Sequence, residues 1–270
     1  MNILVRRSNL LIPITDSRAV SLSWRSDADA ITLDLEDTVP PGRKIEAREL
    51  ARAAIMQAPP GGAEVFVRVN KPFLHADLAA SVWPGLAGIM LPQVESADDV
   101  RAADRLLAEL ERSRGMATGS LQIIVLLESA RAIWDVRSII TASRRITQVG
   151  LDESDLAASM RISPLPEHDP FIYARGRLVV EAVVAKVIPV GMAYPLGLEQ
   201  RRLAADQIHR MANMARNMGL KGVICLHESW VEPVNRAFTP SAELVAYNRR
   251  VREAFAAGVA AGTASVPLDG

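Results

Sequence analysis

Leu33-Asp34-Leu35-Glu36-Asp37 closes a short apolar run that begins near Ala30 and ends in acids. Alternate residues of an extended strand face opposite sides, so Asp34 and Glu36 share one face while Leu33 and Leu35 share the other. Working outward, three further runs end in the same way: Val67-Arg68-Val69-Asn70, Leu126-Leu127-Glu128, and Leu151 through Asp155. Charged and amide groups at the downstream ends of several strands describe one site assembled from strand ends. In a parallel barrel that is where chemistry sits.

The rest of the chain supplies the strands and helices such a barrel needs. Eight β-like runs fall at about 10–14, 30–36, 64–70, 88–93, 122–128, 146–152, 187–193 and 222–227. Between them lie stretches rich in Ala, Leu, Glu and Arg, which predict helices at 44–56, 97–112, 130–141, 173–186 and 199–218. Regular alternation of strand and helix favours a closed (β/α)8 TIM barrel spanning residues 1–270 as one domain. The competing open, doubly wound sheet lacks support, because no glycine-rich phosphate fingerprint follows the first strand.

Composition narrows the function. The 270 residues carry a formal net charge of zero, with 49% hydrophobic and 4% aromatic residues, and no basic stripe interleaves with aromatics, so a nucleic-acid partner is not expected. The single cysteine, Cys225, cannot form an internal disulfide and sits in an apolar run, as an inert core thiol does. Neither a signal-peptide core nor a stretch long enough to span a bilayer is present, so no membrane partner and a cytoplasmic location are expected.

If the apolar faces of the strands meet the helices, the charged faces point inward and Arg68, Glu36 and Glu128 converge at the mouth. An inward arginine and several carboxylates must pair with one another, with a metal or with a ligand. Glu128 and Asp155 end neighbouring runs, a spacing that suits Mg2+, which takes one or two carboxylates and keeps several waters. Two plainer readings stand beside this one: Glu128 as a structural acid for Arg68, and Asp155 as a helix N-terminal acid. His227, at the end of the eighth run, reads either as a substrate contact or as a satisfied barrel-end histidine.

In order along the chain, Arg7-Ser8-Asn9-Leu10-Leu11-Ile12-Pro13, the Leu33 to Asp37 stretch with Lys44 and Ala47-Arg48, Arg68-Val69-Asn70, Leu91-Pro92, Glu128, Asp155-Leu156 and Tyr173-Ala174-Arg175 resemble the citrate lyase β-subunit-like proteins of the HpcH/HpaI aldolase superfamily. The resemblance implies Mg2+ held by Glu128 and Asp155, with Glu36 and Asp37 behind it, and Arg68 gripping a carboxylate or enolate oxygen. It makes Arg68, Glu36 and Asp37 the catalytic set and Arg68, Arg7 and Asn70 the substrate-binding set. The implied reaction cleaves or forms a 3-hydroxyacyl-CoA such as malyl-CoA or citramalyl-CoA, with a 2-oxo acid and a CoA thioester as small-molecule partners. The alternatives are an aldolase on free 2-oxo acids and a non-catalytic metal- and oxo-acid-binding accessory subunit. A homo-oligomer, often trimeric, is also implied, with residues 243–261 as a contact.

The chain departs from the family pattern at three places. Gln93 stands where a lysine is usual, Asp152 where a glycine is usual, and the run from Gly222 to Trp230 lacks the Lys, Pro and Gln of the family's motif. Asp269-Gly270 resembles the start of a further motif that leads into a C-terminal lid segment, so that lid is expected to be missing after Gly270.

Overall fold

Parallel pairing of the apolar runs, each followed by a helix, builds the frame of the computed structural model, which describes residues 6–163, 168–192, 203–263 and 266–268. Parts of the expected seventh strand and of the helix after it, at residues 193 and 199–202, lie outside these, as does Asp269-Gly270. In chain order the elements are β1 (Ser8–Pro13), α1 (Ser17–Ser23), β2 (Ala30–Asp34), α2 (Lys44–Met56), β3 (Glu64–Arg68), α3 (Leu74–Ser81), β4 (Gly88–Leu91), α4 (Ala97–Ser113) and β5 (Gln122–Leu127). They continue with α5 (Ala130–Trp134), α6 (Val136–Ile140), β6 (Ile146–Leu151), α7 (Glu153–Met160), α8 (Ile172–Ala185), β7 (Ile188–Val190), α9 (Ala205–Asn217), β8 (Val223–Cys225), α10 (Val231–Phe238) and α11 (Ala242–Ala260).

The eight strands run in the order β7-β6-β5-β4-β3-β2-β1-β8, and every pairing is parallel. Two main-chain hydrogen bonds bring the ends of this sheet together. Lys221 N donates to Pro189 O and Gly191 N donates to Gly222 O, each at 2.9 Å, so β7 meets β8 and the chain forms a nearly closed TIM barrel. Close approach explains the glycine before β8: a Cβ on Gly222 would lie 2.1 Å from the Arg6 carbonyl oxygen.

Strand parity sorts the core into two. Leu10, Ile12, Ile31, Leu33, Val65, Val67, Ile89, Ile123 and Val125 face outward into one continuous cluster with the helices. Leu11, Ala30, Phe66, Met90, Ile124 and Leu126 fill the barrel's centre. Below that apolar layer Arg6 plugs the floor, donating to both oxygens of Glu64 and to the side chains of Gln122 and Gln148, with its guanidinium 4.7 Å from the Phe66 ring.

The strands are shorter than their apolar patterns suggest. β2 stops at Asp34, β3 at Arg68, β4 at Leu91 and β5 at Leu127, so Glu36, Asn70, Gln93 and Glu128 sit on the loops just beyond. What fixes those loops is a set of side-chain bonds rather than the sheet. Lys44, at the start of α2, donates its three protons to Leu35 O, Glu36 O and Asn70 Oδ1 at 2.8, 2.6 and 2.7 Å. One turn along α2, Arg48 reaches the fully buried Asp77 of α3 at 2.7 Å, and Asp77 accepts from the main-chain and side-chain nitrogens of Asn70, each at 2.7 Å. The predicted helix at 130–141 is broken at Asp135 into α5 and α6. α11 stands apart, with Gly258 as its one buried residue.

Asp77→Ala leaves two buried donors on Asn70 and one on Arg48 without their acceptor. We expect about 2 to 3 kcal/mol of lost stability, read as a lower urea midpoint at unchanged slope; an unaltered midpoint would remove the loop lock from this account.

Candidate active site at the barrel mouth

A buried arginine organises the mouth. Arg68, the last residue of β3, is inward by parity and 5% exposed, which leaves its five donors to be satisfied by protein. Its Nε and Nη2 form a parallel fork with Asp34 Oδ1 and Oδ2 at 2.7 and 2.6 Å. Nη1 lies 3.1 Å from both Glu36 Oε2 and Asp37 Oδ2. Asp34 itself is fully buried and also accepts from Glu36 N, Thr38 N and Thr38 Oγ1. Burial works against its charge, but the Arg68 fork outweighs burial and holds this carboxyl below the ordinary aspartate value.

The other acids behave in the opposite way. Burial pushes Glu36 up to about 7, with Arg68 opposing the rise and Asp37 and Asp34 adding to it. Burial is also the first cause at Glu128, raised to about 8; Asp152 adds to the rise, a hydrogen bond from the Gln93 main-chain N–H opposes it, and Glu36 and Asp155 raise it further. Asp155 moves upward by burial, Asp152 and Asp37, against Arg68. It lies in the first turn of α7, whose N-cap is Asp152, accepting from Ser154 N and Asp155 N at 3.0 and 3.3 Å. Asp155 is therefore a helix N-terminal acid that also faces the other carboxylates.

Beside these groups opens a small cleft, floored by Leu11, Met90 and Leu126 and walled by Arg68, Asp152 and Trp230. Among the described residues no three His, Cys, Asp or Glu side chains gather into a full metal cage. The donor set nonetheless fits a hard divalent ion: oxygen ligands only, one arginine against several acids, and carboxyls shifted upward in part by neighbouring negative charge. Glu128 and Asp155 are the two that could ligate, with water completing the shell.

Of the residues singled out from the sequence, the structure brings Arg68, Glu36, Asp37, Glu128 and Asp155 to one mouth. It removes Arg7. That residue precedes β1, so it lies at the opposite, N-terminal end of the barrel, where its side chain forks onto Asp29 at 2.9 and 2.7 Å and reaches Thr239 at 2.9 Å. Asn70 is also reassigned, because Nδ2 donates to Leu35 O and Asp77 while Oδ1 accepts from Lys44; it braces the loops rather than facing the cleft. His227 caps the turn that follows β8, accepting from Ser229 N at 3.2 Å. Cys225 is wholly buried and burial pushes its thiol up, as an inert core cysteine requires.

Two contributors were missed, Asp34 and Asp152, and the partners of a third, Arg175, were not foreseen. Asp34 shares the inward face but had no role assigned, although its position two residues before Glu36 was a sufficient signal. Asp152 raises Glu128 and Asp155 directly. The buried Arg175 of α8 bonds Glu153 in the first turn of α7 and Asp169 before α8, bracing the helix that carries Asp155; nothing in the sequence pairs residues so far apart.

An eight-stranded parallel barrel with an acidic, arginine-anchored mouth defines a class of α/β enzyme. Residues 7–227 match the HpcH/HpaI aldolase/citrate lyase family, and the chain belongs to that family. Its curated relatives include the citrate lyase subunit beta of Haemophilus influenzae, 26% identical over 98% of this chain and 91% of the relative. The L-malyl-CoA/beta-methylmalyl-CoA lyase of Cereibacter sphaeroides is 30% identical, covering 91% of this chain and 82% of the relative. Among solved structures, CitE from Mycobacterium tuberculosis in complex with magnesium, acetoacetate and coenzyme A superposes with a TM-score of 0.68 at 24% identity, covering 95% of this chain and 88% of that one. The shared fold is a TIM barrel, and the chain is an enzyme of the carbon–carbon lyase type.

Because folded Glu128 is raised from 4.5 to about 8, the folded chain binds more protons than the unfolded one between those values. This group's contribution is therefore most favourable below 4.5 and falls away as pH climbs to about 8. Without divalent metal, the melting temperature of the wild type should decline across that window more steeply than that of Glu128→Gln. Parallel profiles in scanning calorimetry would contradict the assignment.

Proposed function

We propose that this chain is a Mg2+-dependent lyase that cleaves or forms a 3-hydroxyacyl-CoA such as malyl-CoA or citramalyl-CoA. The products of cleavage are an acyl-CoA and a 2-oxo acid. The observation that carries this reading is Arg68, held inward by Asp34 with its remaining edge toward Glu36 and Asp37. A planar, permanently charged fork at a cleft suits the oxygens of a carboxylate or an enolate. Support also comes from the relative named as a malyl-CoA/beta-methylmalyl-CoA lyase and from the neighbour solved with magnesium, acetoacetate and coenzyme A.

In cleavage the bond between the hydroxyl-bearing carbon and the carbon next to the thioester breaks. The hydroxyl loses its proton and becomes the carbonyl of the 2-oxo acid, while the bonding pair passes to the thioester fragment as an enolate that then takes up a proton. Mg2+ held by Glu128 and Asp155 would supply Lewis acidity toward the hydroxyl and carboxylate oxygens. Glu36, raised to about 7, can accept or return a proton near neutral pH. Asp37, 61% exposed on its side chain and 3.1 Å from Arg68, holds the outer edge of the guanidinium. Arg68 stabilises negative charge as it develops on the substrate oxygen.

A second reading, an aldolase on free 2-oxo acids, is favoured by the turn after β8. His227 there is engaged in capping, and the stretch Gly222 to Trp230 offers no lysine or arginine for a CoA phosphate. Turnover of malyl-, citramalyl- and β-methylmalyl-CoA, stopped by EDTA and restored by Mg2+, separates the readings; oxo-acid binding without CoA binding selects the second. Glu128→Ala and Asp155→Ala should each remove most Mg2+ binding in calorimetric titration. Arg68→Lys should lower kcat/KM by about 10²- to 10³-fold, the scale of removing one donor to developing charge. Unchanged values in these variants would refute the roles given.

We also propose a homo-oligomer, supported by α11, whose Leu244, Tyr247, Val251 and Phe255 recur at helical spacing and are all exposed. Phe255→Asp should lower the sedimentation coefficient toward that of a monomer; a wild type that already sediments as a monomer would end this proposal.

A further inference from the structure

Three described residues other than glycine have a positive φ: Gln93 at 54°, Arg161 at 55° and Lys186 at 60°. Arg161 and Lys186 are the C-caps of α7 and α8, where a left-handed residue closes the helix. Gln93 ends no helix. It follows β4 on the loop at the mouth, and its side chain is exposed, so packing does not account for its conformation. Strain of this kind persists only where neighbours over-determine it, and it gathers at functional sites.

The neighbours are identifiable. Lys71 Nζ donates to Gln93 O at 2.8 Å, and the same ammonium lies 3.0 Å from Asp99 Oδ1, which anchors it. With the carbonyl pinned on that side, the Gln93 main-chain N–H turns to the Glu128 carboxylate. The side-chain amide reaches the other way, Nε2 donating to Glu36 Oε1 at 3.2 Å. Glu36 follows β2 and Glu128 follows β5, with β3 and β4 between them in the barrel. One residue thus spans two carboxylates that the sheet itself does not connect. A glycine would adopt this backbone without strain but would give up the amide that reaches Glu36.

We infer that Gln93 is a positioning residue that holds Glu36, behind the metal, at a fixed separation and orientation from Glu128, a ligand of the divalent cation. The inference rests on the reading of this mouth as a Mg2+ site. Groups that orient metal ligands from behind commonly change metal affinity by about 10- to 100-fold when removed. Gln93→Gly keeps the left-handed backbone and the N–H toward Glu128 and removes only the amide. Its Mg2+ affinity, titrated calorimetrically with MgCl2 alone, should fall about tenfold, with the metal-free melting temperature unchanged. Gln93→Val places a β-branched side chain where φ is positive and so turns the peptide; its affinity should fall further, toward 100-fold. Lys71→Met, which frees the carbonyl, should follow the same direction.

Wild-type protein that binds Mg2+ while Gln93→Gly and Gln93→Val bind it equally well would overturn this inference and leave the functional reading standing. So would a loss in Gln93→Gly matched by a drop in its metal-free melting temperature. Wild-type protein that takes up no Mg2+ would overturn the functional reading and this inference with it.

Discussion

A guanidinium that cannot lose its proton, placed where water cannot reach most of it, governs the upper half of this barrel. Arg68 is inward because the apolar face of β3 belongs to the helices, and once inward it must be neutralised nearby. Asp34 does this through a two-bond fork, supported by Thr38 and the Glu36 amide. That pairing settles the charge of Asp34 and leaves the other acids to share the third edge of the guanidinium. Glu36 and Glu128, without such a fork, are shifted the other way, burial being the first cause at both. One carboxylate is committed to structure, while Glu36 and Glu128 stay free to exchange protons or bind a cation near neutral pH.

The position of these acids depends on loops rather than strands, which demands a second constraint. Backbone beyond the end of a parallel strand has no ladder partner, and its polar groups must be met otherwise. Lys44 meets two carbonyls at the end of the β2 loop and ties them to Asn70. Arg48 and Asp77 tie Asn70 to α2 and α3. Lys44 and Arg48 lie one helical turn apart, so a single face of α2 fixes two neighbouring loops. The series Leu33 to Asp37, Lys44, Arg48 and Asn70, which carried the family resemblance, is therefore one connected network in space.

How far the sequence could be read follows from the range of each rule. Period-two alternation correctly turned Arg68 and Asp34 inward, because the register β2 to β3 pairs Asp34 with Arg68. The same alternation failed at Asn70, since it holds only while the backbone is extended and β3 ends at Arg68. Arg7 was misplaced by a motif that carries no direction: a residue preceding β1 must lie at the end of the barrel where strands begin. The barrel and all eight strands were legible from patterning, whereas strand lengths depend on where neighbours stop pairing. The brace from Arg175 to Glu153 and the left-handed backbone at Gln93 arise from helix packing and loop closure, which leave no local trace in composition or periodicity.

Charge sets the terms on which this mouth can serve the proposed reaction. A hydroxyacyl substrate brings its own carboxylate to a cleft where Arg68 is already engaged by Asp34, Glu36 and Asp37, with Glu128, Asp152 and Asp155 around it. Neighbouring negative charge in a partly buried site disfavours a further anion, since screening by water and salt is weak there. Protonation of Glu36 and Glu128 would relieve the repulsion, but it would also remove the groups that could carry protons or hold a cation. A divalent cation relieves it while keeping both carboxylates ionised, and it leaves the outer edge of Arg68 as the contact for the anion. On the proposed reading a divalent cation would balance the charge of this chain's own residues at the mouth.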